Sequence, residues 1–277
     1  MKKRILTLSL LLVIVISSLS LTSLASPNSY GVGVNIDGYA FSGEIDVRNS
    51  TTFVGIRKFA NAMDSSARVT YNSYTKTLTV KSSKLNLVAT NGKNYIEANG
   101  RYLFTSTPIY MINGRMYAPV MLLAKAFDAK ISWSDYSSSF NIVRGSGGIL
   151  SGDSFYRADE VYWLSKIISA EARGEIMSGK VAVGNVILNR VRSYSFPNTI
   201  YSVIFDRKNG IQFSPVANGT IYNNATADSI IAAKICLEGY SISNGILYFV
   251  NPSVAPNSWA SRNRPFYAKI GNHAFYL

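Results

Sequence analysis

Residues 35–144 contain an internal repeat, which leaves few folds open to the first half of the chain. Residues 53–80 can be aligned with residues 117–142, and the apolar and polar positions then follow in the same order. Each copy predicts a strand and turn, a short helix, and two alternating strands joined by a polar turn. The polar turns are residues 72–75 and 134–137. Because neither copy can bury its apolar face alone, we expect the two to pack as one β-rich domain.

The second half contains a carboxylate on an apolar helical face. Leu164, Ile167 and Ile168 recur at helical spacing, and Glu171 continues the same stripe. Gly174 stands where a helix often takes a left-handed cap, which would put Glu171 in the last turn beside unpaired carbonyls. Apolar surroundings and the negative end of the helix dipole both raise the pKa of a carboxylic acid, so we predict that Glu171 is a general acid. The alternative is a solvated Glu171 at the rim of the domain.

Six motifs follow one another between residues 158 and 277. They read Ser-Ala-Glu-Ala-Arg-Gly-Glu at 169–175, Gly-Lys-Val-Ala-Val-Gly-Asn-Val-Ile-Leu-Asn-Arg-Val at 179–191, Phe-Pro-Asn-Thr-Ile at 196–200, Gln-Phe-Ser-Pro-Val at 212–216, Leu-Tyr-Phe-Val-Asn-Pro at 247–252 and Ile-Gly-Asn-His-Ala-Phe-Tyr at 270–276. In this order they resemble the catalytic domain of the spore-cortex-lytic cell wall hydrolases. The resemblance implies a lysozyme-like fold that cleaves the glycan strands of peptidoglycan, with Glu171 as the essential acid.

The residue patterns of this half predict mainly helices and a small sheet. Helices are expected at about 179–192 and 226–238, and a third short helix is expected to start near residue 198. Residues 247–250 and 266–270 have the composition of strands. The whole chain is therefore expected to be α+β, with a β-rich two-repeat domain before a mainly α, lysozyme-like domain.

Cleavage of the MurNAc-GlcNAc bond needs one carboxylic acid to protonate the leaving oxygen. In a lytic transglycosylase the 6-hydroxyl of muramic acid then closes a 1,6-anhydro ring, so one Glu serves as acid and then as base. A hydrolytic muramidase or glucosaminidase usually adds a second carboxylate. We favour the transglycosylase because acids are few in this half. The candidates for a second carboxylate are Glu175, Asp206, Asp228 and Glu238.

Several loop residues have side chains suited to a saccharide groove. Amides bind N-acetyl groups, and aromatic rings stack on the faces of sugars. We predict substrate contacts for Gln212, Phe213, Tyr248, Asn251 and Trp259. For each of these residues a place in the core or in a turn is the alternative.

The chain has one Cys, Cys236, and one His, His273. An intramolecular disulfide is therefore impossible, and the usual zinc sites, which use clusters of His and Cys, are not expected. Cys236 lies in an apolar helical run and is predicted to be a buried, inert thiol. His273 is predicted to be a structural hydrogen-bonding group. Without a Gly-x-Ser-x-Gly elbow or a Gly-rich phosphate loop, serine esterases and nucleotide enzymes are disfavoured.

The second copy of the repeat carries two short motifs, Asn-Gly-Arg-Met-Tyr-Ala-Pro at 113–119 and Trp-Ser-Asp at 133–135. They resemble the copper amine oxidase N-terminal-like domain that accompanies many exported bacterial enzymes. The first copy departs from this pattern, with Gly55 where Pro119 stands. Residues 26–150 contain no His and no Cys, so we predict no copper, and we expect no other cofactor. The preferred role of this domain is wall binding, and the alternative is a spacer.

The chain begins with Met-Lys-Lys-Arg, an apolar run and Ser-Leu-Ala, an order typical of a secretory signal. We predict a signal peptide at 1–25, the repeat domain at 26–143, a Gly/Ser-rich linker with almost nothing to bury at 144–154, and the catalytic domain at 155–277. An uncleaved anchor is the alternative, although the apolar core of about a dozen residues is short of the roughly 20 that span a bilayer. No later stretch is apolar enough to span.

Removing three basic residues with the signal takes the formal net charge from +13 to +10. No block of Lys or Arg stands out, so a nucleic-acid partner is not expected. A diffuse positive charge on a secreted or wall-associated protein suits an anionic partner such as the bacterial wall. The sequence therefore predicts an exported enzyme that degrades peptidoglycan. The alternatives are a hydrolytic mechanism and a wall-binding protein without activity, and vegetative wall and spore cortex both remain possible substrates.

Overall fold

The computed structural model describes residues 31–208 and 210–277, and the predicted signal segment lies outside them. Across these ranges, no helix has both the length and the apolar character needed to cross a membrane. The predicted α+β class is confirmed, with strands dominating the first half and helices the second.

Strands and two short helices make up the N-terminal half. They are β1 (Gly33–Ile36), β2 (Tyr39–Ala40), β3 (Ile45–Arg48), β4 (Thr51–Gly55), α1 (Ile56–Met63), β5 (Arg68–Asn72), β6 (Thr77–Lys81), β7 (Asn86–Thr90), β8 (Tyr95–Ala98), β9 (Arg101–Phe104), β10 (Tyr110–Ile112), β11 (Arg115–Pro119), α2 (Val120–Ala126), β12 (Lys130–Ser134) and β13 (Ser139–Val143). They form three sheets, in the orders β12-β13-β1-β2, β10-β11-β4-β3 and β5-β6-β7-β8-β9.

The predicted repeat is confirmed by the order of these elements. Each copy contains a hairpin, a helix and a second hairpin: β3-β4, α1 and β5-β6 in the first, and β10-β11, α2 and β12-β13 in the second. The copies join where β4 pairs with β11, with Val54 opposite Ala118. Strands β7 to β9 have no counterpart in the second copy and extend the sheet of the first.

One apolar core serves both copies. Phe59 of α1 and Phe127 just after α2 are buried, and their rings meet edge to face with centroids 6.1 Å apart. Val80 of β6 and Ile142 of β13 are buried in the same cluster. Burying these side chains together supplies the apolar area that either copy alone would leave in water, which is the physical reason for the predicted packing.

Helices and a small sheet make up the C-terminal half, as predicted. They are α3 (Gly152–Phe155), α4 (Ala158–Ala172), α5 (Met177–Arg192), α6 (Ile200–Ile204), α7 (Ser214–Ala217), a 3-10 turn (Thr220–Tyr222), α8 (Ala227–Leu237), β14 (Tyr248–Val250), α9 (Trp259–Asn263), β15 (Phe266–Ile270) and β16 (His273–Tyr276). The sheet order is β14-β16-β15, so the last strand of the chain lies in the middle.

Helices α4, α5 and α8 meet closely at Gly184. A Cβ atom on Gly184 would lie 2.6 Å from Cys236 Sγ and 2.9 Å from Ile168 Cδ1. A glycine is therefore needed here for space rather than for backbone freedom. Cys236 is buried as predicted, and burial raises the pKa of its thiol, which disfavours a reactive thiolate.

A buried ion cluster joins the two halves of the chain. Arg101 of β9 donates from Nε and Nη2 to the two carboxylate oxygens of Glu238, at 2.6 and 2.8 Å. The Tyr156 hydroxyl donates to the same carboxylate at 2.8 Å, and Lys125 Nζ lies 3.0 Å from it. Burial opposes ionisation of Glu238, but the hydrogen bonds from Arg101, Lys125 and Tyr156 hold its pKa below the ordinary value.

Residues 144–154 run along the N-terminal half. The backbone N–H of Ile149 donates to the backbone carbonyl of Ala126 at 3.1 Å, and the backbone N–H of Gly152 donates to the backbone carbonyl of Asn99 at 2.7 Å. The expectation that this segment has almost nothing to bury is wrong, because Ile149 belongs to the apolar core of that half. The short helix α3 then leads into α4.

Candidate active site

A cavity of about 880 Å³ opens on the C-terminal half, within the size range of small-molecule sites in enzymes. Helix α4, helix α5, the loop after α6 and the segment from β14 to α9 all contribute side chains to its wall. The lining residues are Glu171, Arg190, Ser195, Phe196, Asp206, Gln212, Phe213, Ser214, Tyr248, Phe249, Trp259, Ala260 and Arg264.

Glu171 reaches this cavity from the last turn of α4. The apolar stripe predicted from its spacing is present, since Leu164, Ile167 and Ile168 are fully buried. The predicted left-handed cap at Gly174 is wrong: α4 ends at Ala172, the next residue is still helical, and Gly174 is not among the residues with positive φ.

Burial raises the pKa of Glu171 to about 7. Burial removes the carboxyl group from water, and removal from water disfavours the charged form. At neutral pH a large fraction of Glu171 is therefore protonated while facing an open cavity. This is the state that a general acid needs.

Glu175 lies only four residues further on but does not line the cavity. Its carboxylate accepts hydrogen bonds from the backbone N–H and the side-chain Nδ2 of Asn272, at 3.0 and 2.9 Å. Burial opposes ionisation, yet these hydrogen bonds hold the pKa of Glu175 below its ordinary value. Glu175 thus fastens the segment after α4 to the β15-β16 turn.

His273 lies next to Glu175, with Nδ1 3.7 Å from Oε1. Its side chain is buried, and Nδ1 has no hydrogen-bond partner among the described residues. Burial lowers the pKa of His273, although the nearby Glu175 carboxylate acts in the opposite direction. The ring also meets Phe249 edge to face, with centroids 5.3 Å apart, so His273 packs against a residue of the cavity wall.

Asp206 is the one candidate for a second carboxylate that lines the same cavity as Glu171. It follows α6, and its Oδ1 accepts a hydrogen bond from the backbone N–H of Lys208 at 2.9 Å. Asp228 lies in the first turn of α8, and Glu238 belongs to the buried ion cluster. No sequence pattern distinguished Asp206 from these two, because its position depends on the path of the chain after α6.

Four of the five predicted substrate-binding residues lie together in the cavity wall: Gln212, Phe213, Tyr248 and Trp259. Asn251 lies outside the cavity, where its side-chain oxygen accepts a hydrogen bond from the backbone N–H of Ser253 at 3.0 Å. Asn251 therefore stabilises the turn after β14.

Arg190 is a cavity residue that was not singled out from the sequence. It is 5% exposed, and its Nε donates to the Leu247 carbonyl at 2.8 Å. The rings of Phe196, Phe213 and Tyr248 surround the guanidinium at 4.8 to 5.4 Å. Burial lowers the pKa of Arg190 to about 10, so it stays charged at neutral pH. Arg190 follows the buried Val186 and Ile187 by one helical turn, which is the same kind of sequence signal that identified Glu171.

Aromatic rings form one wall of the cavity. The rings of Tyr248 and Trp259 lie 5.6 Å apart, and the guanidinium of Arg264 lies 5.0 and 5.1 Å from them. Trp259 remains about half exposed, which leaves a flat surface open to a ligand. Within the described ranges, no group of three or more His, Cys, Asp and Glu side chains could hold a metal ion.

Both halves of the chain match known families. Residues 174–276 match the family described as Cell Wall Hydrolase, a match that begins three residues after Glu171. Residues 34–142 match the family described as Copper amine oxidase N-terminal domain.

Individual relatives agree with the first of these matches. The spore cortex-lytic enzyme of Bacillus cereus is 38% identical over 120 residues, which are 43% of this chain and 45% of that protein. Cell wall hydrolase CwlJ of Oceanobacillus iheyensis is 30% identical over 107 residues, 36% of this chain and 74% of that protein. Among solved structures, the catalytic domain of the germination-specific lytic transglycosylase SleB from Bacillus anthracis is 36% identical, with a TM-score of 0.40, covering 47% of this chain and 100% of that one.

The C-terminal half, with its acidic cavity residue on a core helix, is thus a cell wall hydrolase domain. It follows a copper amine oxidase N-terminal-like domain. The chain belongs to the cell wall hydrolase family, and it spans a little under half the length of the spore cortex-lytic relative from Bacillus cereus.

Proposed function

We propose that this protein is an exported enzyme that degrades peptidoglycan by cleaving the MurNAc-GlcNAc bond of the glycan strand as a lytic transglycosylase. The observation that carries the proposal is Glu171, a carboxyl group with a pKa of about 7 in the wall of a cavity that contains several aromatic rings. The names of relatives, a spore cortex-lytic enzyme and a cell wall hydrolase, support the same class of substrate.

The reaction needs one proton donor that later takes a proton back. Protonated Glu171 donates its proton to the glycosidic oxygen, and the bond from the anomeric carbon to that oxygen breaks with the electron pair leaving on the oxygen. The Glu171 carboxylate then accepts the proton of the muramic acid 6-hydroxyl as its oxygen bonds to the anomeric carbon. The products are a 1,6-anhydro end and a free hydroxyl on the leaving sugar, without consumption of water.

The surrounding side chains have chemistry suited to the sugar. Trp259 and Tyr248 offer ring faces for stacking on pyranose rings, and Gln212 offers an amide to the acetamido groups. Arg190 holds Phe196 and Phe213 in place and contributes positive charge to the wall of the cavity. Positive charge suits a polymer that carries carboxylates on its lactyl and peptide groups.

A second candidate function is hydrolysis by a muramidase or glucosaminidase. It is favoured by one observation, the presence of Asp206 in the same cavity as Glu171. In that mechanism Asp206 acts as the nucleophile or as the base that activates water. Because hydrolysis adds water, its products have reducing ends instead of anhydro ends.

Mass spectrometry of soluble products distinguishes the two functions. Purified mature protein is incubated with vegetative peptidoglycan and, separately, with spore cortex, alongside the variants Glu171→Gln, Asp206→Asn and Glu175→Gln. We expect anhydromuropeptides from the wild type, their loss in Glu171→Gln, and less than a tenfold change in Asp206→Asn. Glu175→Gln is the matched control, because it removes a carboxylate from the same motif but outside the cavity.

Each other outcome has a defined meaning. Reducing-end products, together with a loss of about a thousandfold in Asp206→Asn, would replace the transglycosylase with the hydrolase. No soluble products from either substrate would contradict both enzymes and leave a wall-binding protein.

We further propose the division of the chain into a signal peptide at 1–25, a wall-associated domain at 26–143, a connecting segment at 144–154 and a catalytic domain at 155–277. The positive charge is shared by both domains, which is consistent with an anionic polymer contacting each of them.

A further inference from the structure

Two tyrosines at the tips of hairpins in the N-terminal domain are almost completely exposed. Tyr74 lies in the turn between β5 and β6 and is 95% exposed. Tyr136 lies in the turn between β12 and β13 and is fully exposed. These hairpins are the equivalent ends of the two repeat copies. Both copies of the repeat therefore place a tyrosine at the same outermost position.

The two turns have the same geometry. Asn72 pairs with Thr77 in the first hairpin and Ser134 pairs with Ser139 in the second, so each turn contains four residues. The last residue of each turn has a left-handed backbone, with φ of 54° at Lys76. The equivalent Ser138 has φ of 45°. Each tyrosine is thus the second residue of the same four-residue turn.

Side-chain hydrogen bonds fix the backbone of both turns. Asn72 Oδ1 accepts from the backbone N–H groups of Tyr74 and Thr75, each at 3.0 Å. Ser134 Oγ accepts from the backbone N–H of Ser137 at 3.3 Å. A fixed backbone leaves only the side-chain torsions of the tyrosine to be ordered when a ligand binds, which lowers the entropic cost of binding.

A second exposed ring stands three residues before each tyrosine. Tyr71 on β5 and Trp133 on β12 both lie on edge strands and expose about two-fifths of their surface. The Trp133 indole N–H donates to Asp135 Oδ1 at 2.7 Å, and its ring packs edge to face on Phe140 at 4.9 Å. Each hairpin thus presents two exposed aromatic rings, and in the second hairpin the contacts with Asp135 and Phe140 hold Trp133 in place.

The surroundings of the rings indicate the kind of ligand. Ser73 and Thr75 flank Tyr74 in the chain, and Asp135 and Ser137 flank Tyr136, so the residues on either side of each ring are polar. A protein partner that buries a hot spot surrounds it with further apolar contact. A sugar has an apolar face of C–H groups and a rim of hydroxyl groups, and it fits exposed aromatic rings that are bordered by polar groups.

The charge of the domain narrows the choice of sugar polymer. Residues 26–150 carry 13 basic and 7 acidic side chains. Exposed basic residues lie on the same two hairpins, at Arg68 and Lys76 in the first and Lys130 in the second. The first hairpin therefore suits a glycan with carboxylates better than a neutral one, whereas in the second hairpin Asp135 offsets the charge of Lys130.

We propose that the β5-β6 and β12-β13 hairpins are two equivalent binding sites for the glycan strands of peptidoglycan, with Tyr74 and Tyr136 stacking on sugar rings. The choice of this polymer rests on the proposed function of the catalytic domain. The hairpins bind by the ring faces of the tyrosines and the polar groups beside them, and the two sites act together on one wall.

Sedimentation with insoluble peptidoglycan tests the proposal. All proteins are the full mature chain with Glu171→Gln, so that the wall is not degraded during binding. Tyr74→Ala and Tyr136→Ala are each expected to weaken binding roughly threefold to tenfold, and the double variant more than either alone. Tyr74→Phe keeps the ring and is expected to bind nearly as well as the parent.

Tyr39→Ala is the matched control, because Tyr39 is an exposed tyrosine of the same domain outside the two hairpins. Its binding is expected to be unchanged, and thermal unfolding is expected to be the same for every variant, because these side chains are on the surface. Unchanged binding in the double variant, or an equal loss in Tyr39→Ala, would overturn the proposal.

Two further measurements test wall binding independently of catalysis and test the choice of glycan as the ligand. The double tyrosine variant with native Glu171 is expected to cleave short soluble glycan chains at the wild-type rate. If the wild type releases no products but the double variant still loses wall binding, the hairpin sites stand and the enzyme function fails. Binding to glycan strands freed of peptides and of other wall polymers is expected to persist, and its loss would overturn the choice of glycan as the ligand.

Discussion

Glu171 and Glu175 lie one helical turn apart in sequence, yet their surroundings give them opposite protonation behaviour. Glu171 rests on fully buried apolar residues and has its pKa raised to about 7. Glu175 accepts two hydrogen bonds from Asn272 that hold its pKa low despite burial. One motif therefore supplies an acid for the cavity and a carboxylate that fastens the loop beyond it.

The activity is expected to fall as the pH rises through about 7. In the proposed mechanism Glu171 must be protonated to act on the glycosidic oxygen, and its pKa of about 7 sets the pH at which the protonated form is lost. Initial rates of muropeptide release between pH 5 and 9 measure this. Below about pH 7, Glu171→Gln should lose about a hundredfold to ten-thousandfold in rate. A wild-type rate that stays constant up to pH 9 would contradict the role of Glu171 as the acid.

The same residue is expected to make stability depend on pH. The pKa of Glu171 is raised from 4.5 to about 7 in the folded protein, so between these values the unfolded chain has lost its proton while the folded one keeps it. The folded state is therefore favoured below about pH 4.5, and this contribution is lost as the pH rises to about 7.

Glu171→Gln cannot ionise, so its Tm relative to the wild type is expected to be higher at pH 8 than at pH 4. Thermal unfolding of both proteins at the two pH values measures the difference. Because the remaining titratable groups are the same in both, a difference that does not change with pH would contradict the burial of an ionisable Glu171.

Among the elements, α5 depends on one residue for its contact with α4 and α8. Replacement of Gly184 by Ala places a methyl group within 3 Å of Cys236 Sγ and Ile168 Cδ1. Ala is about 1 kcal/mol better than Gly in a free helix, but overpacking a core typically costs about 1–3 kcal/mol. We expect Gly184→Ala to lower the free energy of unfolding, measured by urea denaturation.

Gly174→Ala provides the control for this prediction. Gly174 has no positive φ, and a Cβ atom there would meet nothing within 4 Å. The control is expected to be neutral or slightly stabilising. Equal effects of the two substitutions would show that the close approach at Gly184 is not what limits stability.

Local residue patterns predicted many of the helices and strands, whereas the remaining elements depend on packing between distant parts of the chain. The hairpins and helices of the repeat follow from alternation and spacing, which are local properties. Strand β16 was not predicted, because it is the central strand of its sheet and all four of its residues are buried, which removes the alternation. Glu171 could be predicted from its apolar stripe, whereas Asp206 enters the cavity through the fold of a loop.

For the whole molecule, the packing of the two domains against each other could not be predicted from local residue patterns. Glu238 was a candidate for catalysis as one of the few acids of the C-terminal half, and its structural role was missed because its partner Arg101 is 137 residues away in the chain. The aromatic rings of Phe104 on β9 and Tyr240 just after α8 are also in contact, with their centroids 4.4 Å apart. Contacts of this kind have no local signature, and the Gly/Ser-rich composition of residues 144–154 suggested independent domains.

Arg101→Met is expected to lower the Tm and to separate the unfolding of the two domains. Glu238 is 3% exposed in its side chain, and removal of one partner of a buried ion pair typically costs about 3–5 kcal/mol. Calorimetry should show one transition for the wild type and two for the variant. Lys125→Met serves as a control with a smaller effect, since Lys125 is about half exposed. One transition at the wild-type temperature for Arg101→Met would contradict this account of the interface.

If the proposed function and the proposed hairpin sites hold, the packing at Arg101 and Glu238 also affects how the protein would move along the glycan. With no free tether between the domains, a molecule attached to the wall by its hairpins can reach only bonds at one fixed distance from the point of attachment. Each further cut then requires the hairpins to let go and bind again. Tighter attachment would therefore slow degradation once the bonds within reach have been cleaved. The rate of dissociation from the wall would then limit the rate of repeated cleavage.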